Sequence, residues 1–204
     1  MSAGTPTGPD RAARGPGRRR TARQLDLLDR LVDLMTSEGF SEFTLDDIAT
    51  RMRCSKTTLY ALAPSKPELV VEVVKQYFRN SVPRMEESVA AVEAPADRVT
   101  AYLLAVADYL APLSRDFMDD LATFAPAAEV YRTNTIAAAN RIRDLIAEGI
   151  AAGQFRAVNA AFAAEMVAAT MFEIQRGELF ARLEMSDSEA YTELASLVVG
   201  ALTV

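Results

Sequence analysis

Residues 43–69 read FTLDDIATRMRCSKTTLYALAPSKPEL. Thr44 with Asp47 is a helix-start signal, and it opens a short helix that runs to about Met52. Ser55 caps a second helix, predicted to reach about Leu62. Pro64 interrupts the chain, and Ser65 with Glu68 starts a further helix. Two short helices joined by a tight turn form a helix-turn-helix, whose first helix braces and whose second enters a major groove by its N-terminal end. Ile48, Ala49 and Leu59 then face the core. Lys56, Thr57 and Thr58 lie at the groove: lysine donates to guanine acceptors or phosphate, and threonine bonds or touches a thymine methyl. Ser55 leaves backbone N–H groups aimed toward a phosphate. Tyr60 is expected to turn its hydroxyl to the DNA backbone and its ring inward, and Lys66 to meet a phosphate. Thr44 joins these candidate contacts at the start of the bracing helix. Helix pairs of this kind also occur in proteins that never touch DNA.

Upstream, residues 1–20 hold four of the nine glycines and three of the nine prolines, with no large apolar residue beyond Met1. Nothing there can be buried, so this stretch is expected to be disordered. Arg11, Arg14, Arg18, Arg19, Arg20 and Arg23 face a single acid, Asp10, although the whole chain carries a net charge of −6. The arginines form either a solvated tail or an arm that neutralises phosphates, and Arg18, Arg19 and Arg20 lead straight into the DNA-reading unit.

Thr21 with Gln24 opens a first helix whose apolar face is expected to be Leu25, Leu28, Val32 and Met35, and Gly39 stops it. The helix that starts at Ser65 should bury Leu69, Val70, Val73, Val74, Tyr77 and Phe78, then kink or end at Pro83. Further helices are expected near 95–111, 113–125, 127–152, 159–182 and 187–202. Sustained period-two alternation is missing, so the chain reads as all-α, with about nine helices. Its organisation is an arm at 1–20, a helix-turn-helix domain at 21–66 and a helical body at 67–204.

One cysteine, Cys54, and no histidine are present. Intramolecular disulfides are impossible, which fits a reducing cytoplasm. Most zinc sites and most histidine-based acid–base chemistry lack their donors. No apolar run approaches the roughly 18 residues of a membrane span. The expectation is a cytoplasmic protein that is not an enzyme and needs no metal or cofactor.

Phe43-Thr44-Leu45, Ile48-Ala49, Ser55-Lys56, Thr58-Leu59-Tyr60, Ser65-Lys66 and Leu69 together resemble the TetR/AcrR family of bacterial transcriptional regulators. EGIAAGQFR at 148–156 looks like the family's segment where a long body helix ends at glycine. Four positions depart from the pattern, and one is Thr57, where a small residue is common. Arg53 stands in the turn where glycine is usual; positive φ at a non-glycine residue costs on the order of 1 kcal/mol, so the turn is either strained or slightly different. Leu62 and Ala63 replace an aromatic or histidine followed by phenylalanine. Arg53 and the arginine arm could compensate electrostatically.

The resemblance implies a homodimer formed through the last two helices, double-stranded palindromic operator DNA as partner, and an unidentified small-molecule effector bound in the body of a ligand-responsive repressor. Tyr102, Phe117, Met118, Phe124, Tyr131, Met171 and Phe172 either pack as core or line the effector cavity. Asp119, Asp120 and Glu129 near the middle of that set would suit a cationic or polar ligand. The alternative is an interaction protein of the same fold whose head no longer reads DNA.

Overall fold

The computed structural model describes residues 20–176 and 182–203. These residues form nine α-helices and no strand: α1 (Ala22–Glu38), α2 (Leu45–Arg51), α3 (Lys56–Tyr60), α4 (Lys66–Ala90), α5 (Pro95–Leu110), α6 (Arg115–Thr123), α7 (Ala125–Ala151), α8 (Ala160–Arg176) and α9 (Asp187–Leu202). Of the arginine arm, Arg18 and Arg19 lie outside the described residues.

Local chemistry sets the helix starts. Thr21 with Gln24, Thr44 with Asp47 and Ser186 with Glu189 form reciprocal capping boxes, and Ser55, Ser65 and Ser114 each accept a backbone N–H three residues on. Each such cap contributes about 1 kcal/mol. Pro67, Pro95 and Pro126 sit in the first turn of α4, α5 and α7, where a missing N–H costs nothing. Gly39 ends α1 at φ 75°. A Cβ there would stand 2.8 Å from an Asp120 carboxylate oxygen, so glycine answers both the turn and the close approach of α6.

The head is α1–α3 set on the start of α4. Leu28, Leu31, Met35, Ile48 and Leu59 are all but fully buried and fill its core. Leu25 is 41% exposed and Leu27 and Leu31 take its place inside, so the buried stripe of α1 is rotated from the expected one. The head's core runs without a break into the body, where α5 packs against α4, α7 and α9. Pro83 lies inside α4 and does not end it. Packing of α4 on α1, α5 and α7 outweighs the roughly 3 kcal/mol that an interior proline costs.

α7 ends as read from 148–156: Ala152 caps it and Gly153 turns at φ 70°. Phe155 then folds back over Gly149, and Arg156 binds the end of α9 through N–H to Leu202 O (2.9 Å) and Nε to Ala201 O (2.6 Å).

Candidate nucleic-acid interface and ligand cavity

The turn between α2 and α3 is built on Arg53, at φ 51°. Its backbone N–H reaches Thr50 O at 3.1 Å, and the next N–H, of Cys54, reaches Ala49 O at 2.9 Å. From α1, the Arg30 guanidinium donates to Met52 O at 3.0 Å and braces the turn from behind. The left-handed conformation that glycine would adopt freely is thus imposed on an arginine, whose side chain is left exposed.

From that turn, α3 points outward with Lys56, Thr57 and Tyr60 exposed and Leu59 anchored in the core. The Lys56 ammonium lies 2.7 Å from an Asp46 carboxylate oxygen on α2, and this hydrogen bond holds its pKa above the ordinary 10.5. It therefore stays charged at any pH of interest. Thr58 is half-buried, with its hydroxyl 2.9 Å from Ser55 Oγ. Thr44 bonds Asp47 within its own cap at 2.6 Å. Tyr60 is 50% exposed, so its ring does not turn inward as expected; α3 ends there, two residues short of Leu62. Lys66 Nζ donates to Ser41 O at 2.8 Å, and Arg20 pairs with Glu72 of α4. Leu62 and Ala63 are buried, so these departures alter packing and not the outer face.

Residues 27–73, from α1 into α4, match the family model for bacterial regulatory proteins of the tetR family. The head is therefore a tetR-family domain. The chain carries the expected all-α fold with a helix-turn-helix head of the kind found in DNA-binding regulators. No curated protein matches it. Among solved structures it is similar to a transcriptional regulator from Cytophaga hutchinsonii (TM-score 0.72, 16% identity, 90% of this chain and 100% of that one). It is likewise similar to a TetR-family regulator from Agrobacterium tumefaciens (0.68, 19%, 89% and 98%). A third is a regulator from Saccharomonospora viridis in complex with choline (0.71, 15%, 89% and 98%).

Two spaces in the body bear on the expected ligand site. A cavity of about 210 Å³ lies among α4, α5, α7, α8 and α9, and Tyr102, Tyr131 and Met171 line it with Phe78, Tyr109 and Tyr191. A more open cleft of about 460 Å³ is lined by Met118, Leu121 and Ala122 of α6 with Tyr131 and Phe172. Phe117 and Phe124 line neither. They pack edge-on against Phe40 of the head, with ring centroids 6.0 Å away in each case, and fill the junction between head and body.

Two of the three nearby acids, Asp120 and Glu129, are engaged elsewhere, and Asp119 is exposed. Glu129 pairs with Arg132, and Asp120 accepts the backbone N–H groups of Phe40 (2.5 Å) and Ser41 (2.7 Å). Burial pushes the Asp120 carboxyl up, but the hydrogen bonds from Ser41 and Phe40 outweigh it and hold the pKa below the ordinary 3.8. Ser114 at the start of α6 adds an N–H bond to Thr36 O at 2.9 Å. α6 therefore grips the end of α1 with one face and lines the open cleft with another. Sequence reading missed Asp120 as a head–body link, because an acid on an amphipathic helix carries no mark of an acceptor role 79 and 80 residues away. It also missed the paired bonds Tyr77 OH to Tyr109 O and Tyr109 OH to Tyr77 O, which tie α4 to α5.

Proposed function

We propose that this regulator is a ligand-responsive repressor that binds a palindromic operator as a homodimer. The observation that carries the DNA reading is the exposed outer edge of the helix-turn-helix, where Arg53, Lys56 and Thr57 stand around the start of α3 and Tyr60 at its end. In the bound state Lys56 exchanges Asp46 for a phosphate or a guanine edge, and Arg53 meets the backbone beside it. Thr44, Ser55, Thr58 and Lys66 hold the unit's shape through their bonds within the head and touch DNA at its margin. Arg18, Arg19 and Arg20 extend the basic surface along the duplex, once Arg20 leaves Glu72.

An apolar face on α8 and α9 supports the dimer. Phe162, Met166 and Leu197 are 66%, 54% and 69% exposed, and a groove between the two helices runs beside them. Three large apolar side chains in water on one face mark a surface made for contact. A two-fold pairing there would set two α3 helices about 34 Å apart, or a multiple of it, to meet successive major grooves.

An effector in the body would act by binding one head spacing better than the other. Two routes lead out of the body: α4, which begins in the head, and α6, through Asp120. A gel-shift of the purified chain with its own upstream DNA, over a salt series, tests the proposal. Affinity should fall steeply with salt, by about one logarithmic unit per unit of log salt for each phosphate contacted. Absence of any shift at low salt would favour the alternative, a TetR-like interaction protein whose head docks on another protein.

A further inference from the structure

Tyr191 sets the chemistry of the cavity among α4, α5, α7, α8 and α9. It is fully buried, it lines the cavity, and its hydroxyl has no hydrogen-bond partner. Gln175 stands close enough to bear on that hydroxyl, yet not in bonding geometry, and it donates its amide N–H to Thr135 at 2.9 Å. Thr135 in turn donates to Tyr131 O at 3.2 Å. A buried hydroxyl without a partner is rare in native proteins, because its lost contact with water goes uncompensated.

Charge in the lining is confined to one ion pair. Glu86 and Arg141 meet through two parallel bonds, Nε to Oε1 at 2.9 Å and a second guanidinium nitrogen to Oε2 at 3.0 Å. Their side chains are 47% and 29% exposed, so this pair sits on the solvent side, away from fully buried Tyr191. A charged ligand would find each charge already matched, and would lose its own hydration without a counter-ion. The remaining wall is mainly aromatic and aliphatic, with Phe78 and Tyr131 packed edge to face at 5.2 Å; its polar members Ser81, Asn134 and Thr135 each donate to a backbone carbonyl three or four residues back, and Gln175 donates to Thr135. An apolar cavity of about 150 Å³ takes a benzene, so about 210 Å³ suits a ligand of roughly eight to ten non-hydrogen atoms.

Resting on the ligand-responsive reading above, we infer that the effector is an uncharged, compact, ring-sized molecule carrying a carbonyl-type oxygen that accepts the Tyr191 hydroxyl. Tyr191 keeps its proton throughout, since burial raises its pKa well above the ordinary 10.0. The hydroxyl is therefore a permanent donor, and a ligand acceptor is the partner it lacks. A cation of the kind bound by the Saccharomonospora protein is disfavoured here, because no unpaired acid lines this cavity among the described residues.

Four probes of equal size and near-equal shape separate these features: acetophenone, 2-phenylpropene, benzoate and benzamidinium. Their dissociation constants would be measured by ligand-observed NMR on the full chain and on Tyr191→Phe, without DNA. Acetophenone should bind the native chain about fivefold or more tighter than 2-phenylpropene, the worth of one neutral hydrogen bond. Benzoate and benzamidinium should bind at least tenfold more weakly than acetophenone. Tyr191→Phe should erase the preference for the ketone and leave the hydrocarbon's affinity in place. Without ligand, this variant should melt at or above the native temperature, because no hydrogen bond is lost. Equal or tighter binding of either ion, no ketone preference in the native chain, or a preference that survives Tyr191→Phe would each overturn the inference. A lower melting temperature for ligand-free Tyr191→Phe would do so too, since it would mean that Gln175 already satisfies the hydroxyl. Failure of operator binding would remove the regulatory reading and leave these affinities as they stand.

Discussion

Arg53 brings a backbone cost and a DNA-facing charge together in one residue, and two substitutions separate them. Its φ of 51° places a non-glycine residue in the left-handed region. A Cβ in that region costs roughly 1–2 kcal/mol. Arg53→Ala removes the guanidinium and keeps the cost, whereas Arg53→Gly removes both. Glycine gives back roughly 0.5–1 kcal/mol through its extra freedom in the unfolded chain. The glycine variant should therefore exceed the alanine variant by about 0.5–1 kcal/mol. For a chain of this size, where 1 kcal/mol moves the midpoint by about 2–4 °C, the difference is about 1–4 °C in Tm. Operator binding should respond otherwise. Both variants lose the same charge, so both should bind DNA more weakly by equal factors, with the salt slope reduced by about one per head. Thermal melts and gel-shifts across salt read the two effects independently. Equal melting of the alanine and glycine variants would refute the strain argument, because the backbone is the only thing that distinguishes them. An unchanged salt slope would refute the phosphate contact, whatever the melts show.

Asp120→Ala removes the acceptor for two backbone N–H groups of the head; each charge-assisted bond is worth about 1.5–3 kcal/mol, and water replaces part of it at this half-exposed site, so urea titration should show a net loss of about 1–3 kcal/mol. Because the folded carboxyl titrates below its ordinary 3.8, its contribution is complete above about pH 4 and fades as pH falls through the folded value; acid melts of Asp120→Asn should lack that part of the pH dependence, and identical acid profiles would exclude the link. Gly149→Ala would place a Cβ 2.3 Å from the Phe155 ring, so it should destabilise by about 1–3 kcal/mol, and a neutral result would mean that the 148–156 segment yields easily. Leu197→Glu puts a charge on the exposed apolar face of α9 without touching the core; light scattering should show a dimer becoming a monomer, and an unchanged mass would move the interface elsewhere.

Helix beginnings were legible because they depend on residues three apart. Thr21 with Gln24 and Thr44 with Asp47 form their reciprocal bonds as read, and Ser55 and Ser65 cap as read. The buried stripe at the start of α4 was legible for the same reason, since Leu69, Val70, Val73, Val74 and Tyr77 repeat at helical spacing. At Arg53 the turn takes the strained form of the two that the sequence left open, with positive φ. The arginine arm lies largely outside the described residues, and only Arg20, paired with Glu72, is placed.

Local pattern alone therefore determined an all-α chain, the order of its helices and a helix-turn-helix near its start, since capping and periodicity are written within a few residues of one another. Tertiary structure decided the rest. Leu25 faces water although it lies on the expected stripe, Pro83 stays inside a continuous helix, and Phe117 and Phe124 pack on Phe40 and not in a cavity. Asp120 finds its partners at Phe40 and Ser41, and the Tyr191 hydroxyl finds none. Each of these outcomes depends on what lies opposite a side chain once distant segments meet, and spacing along the chain carries no record of that.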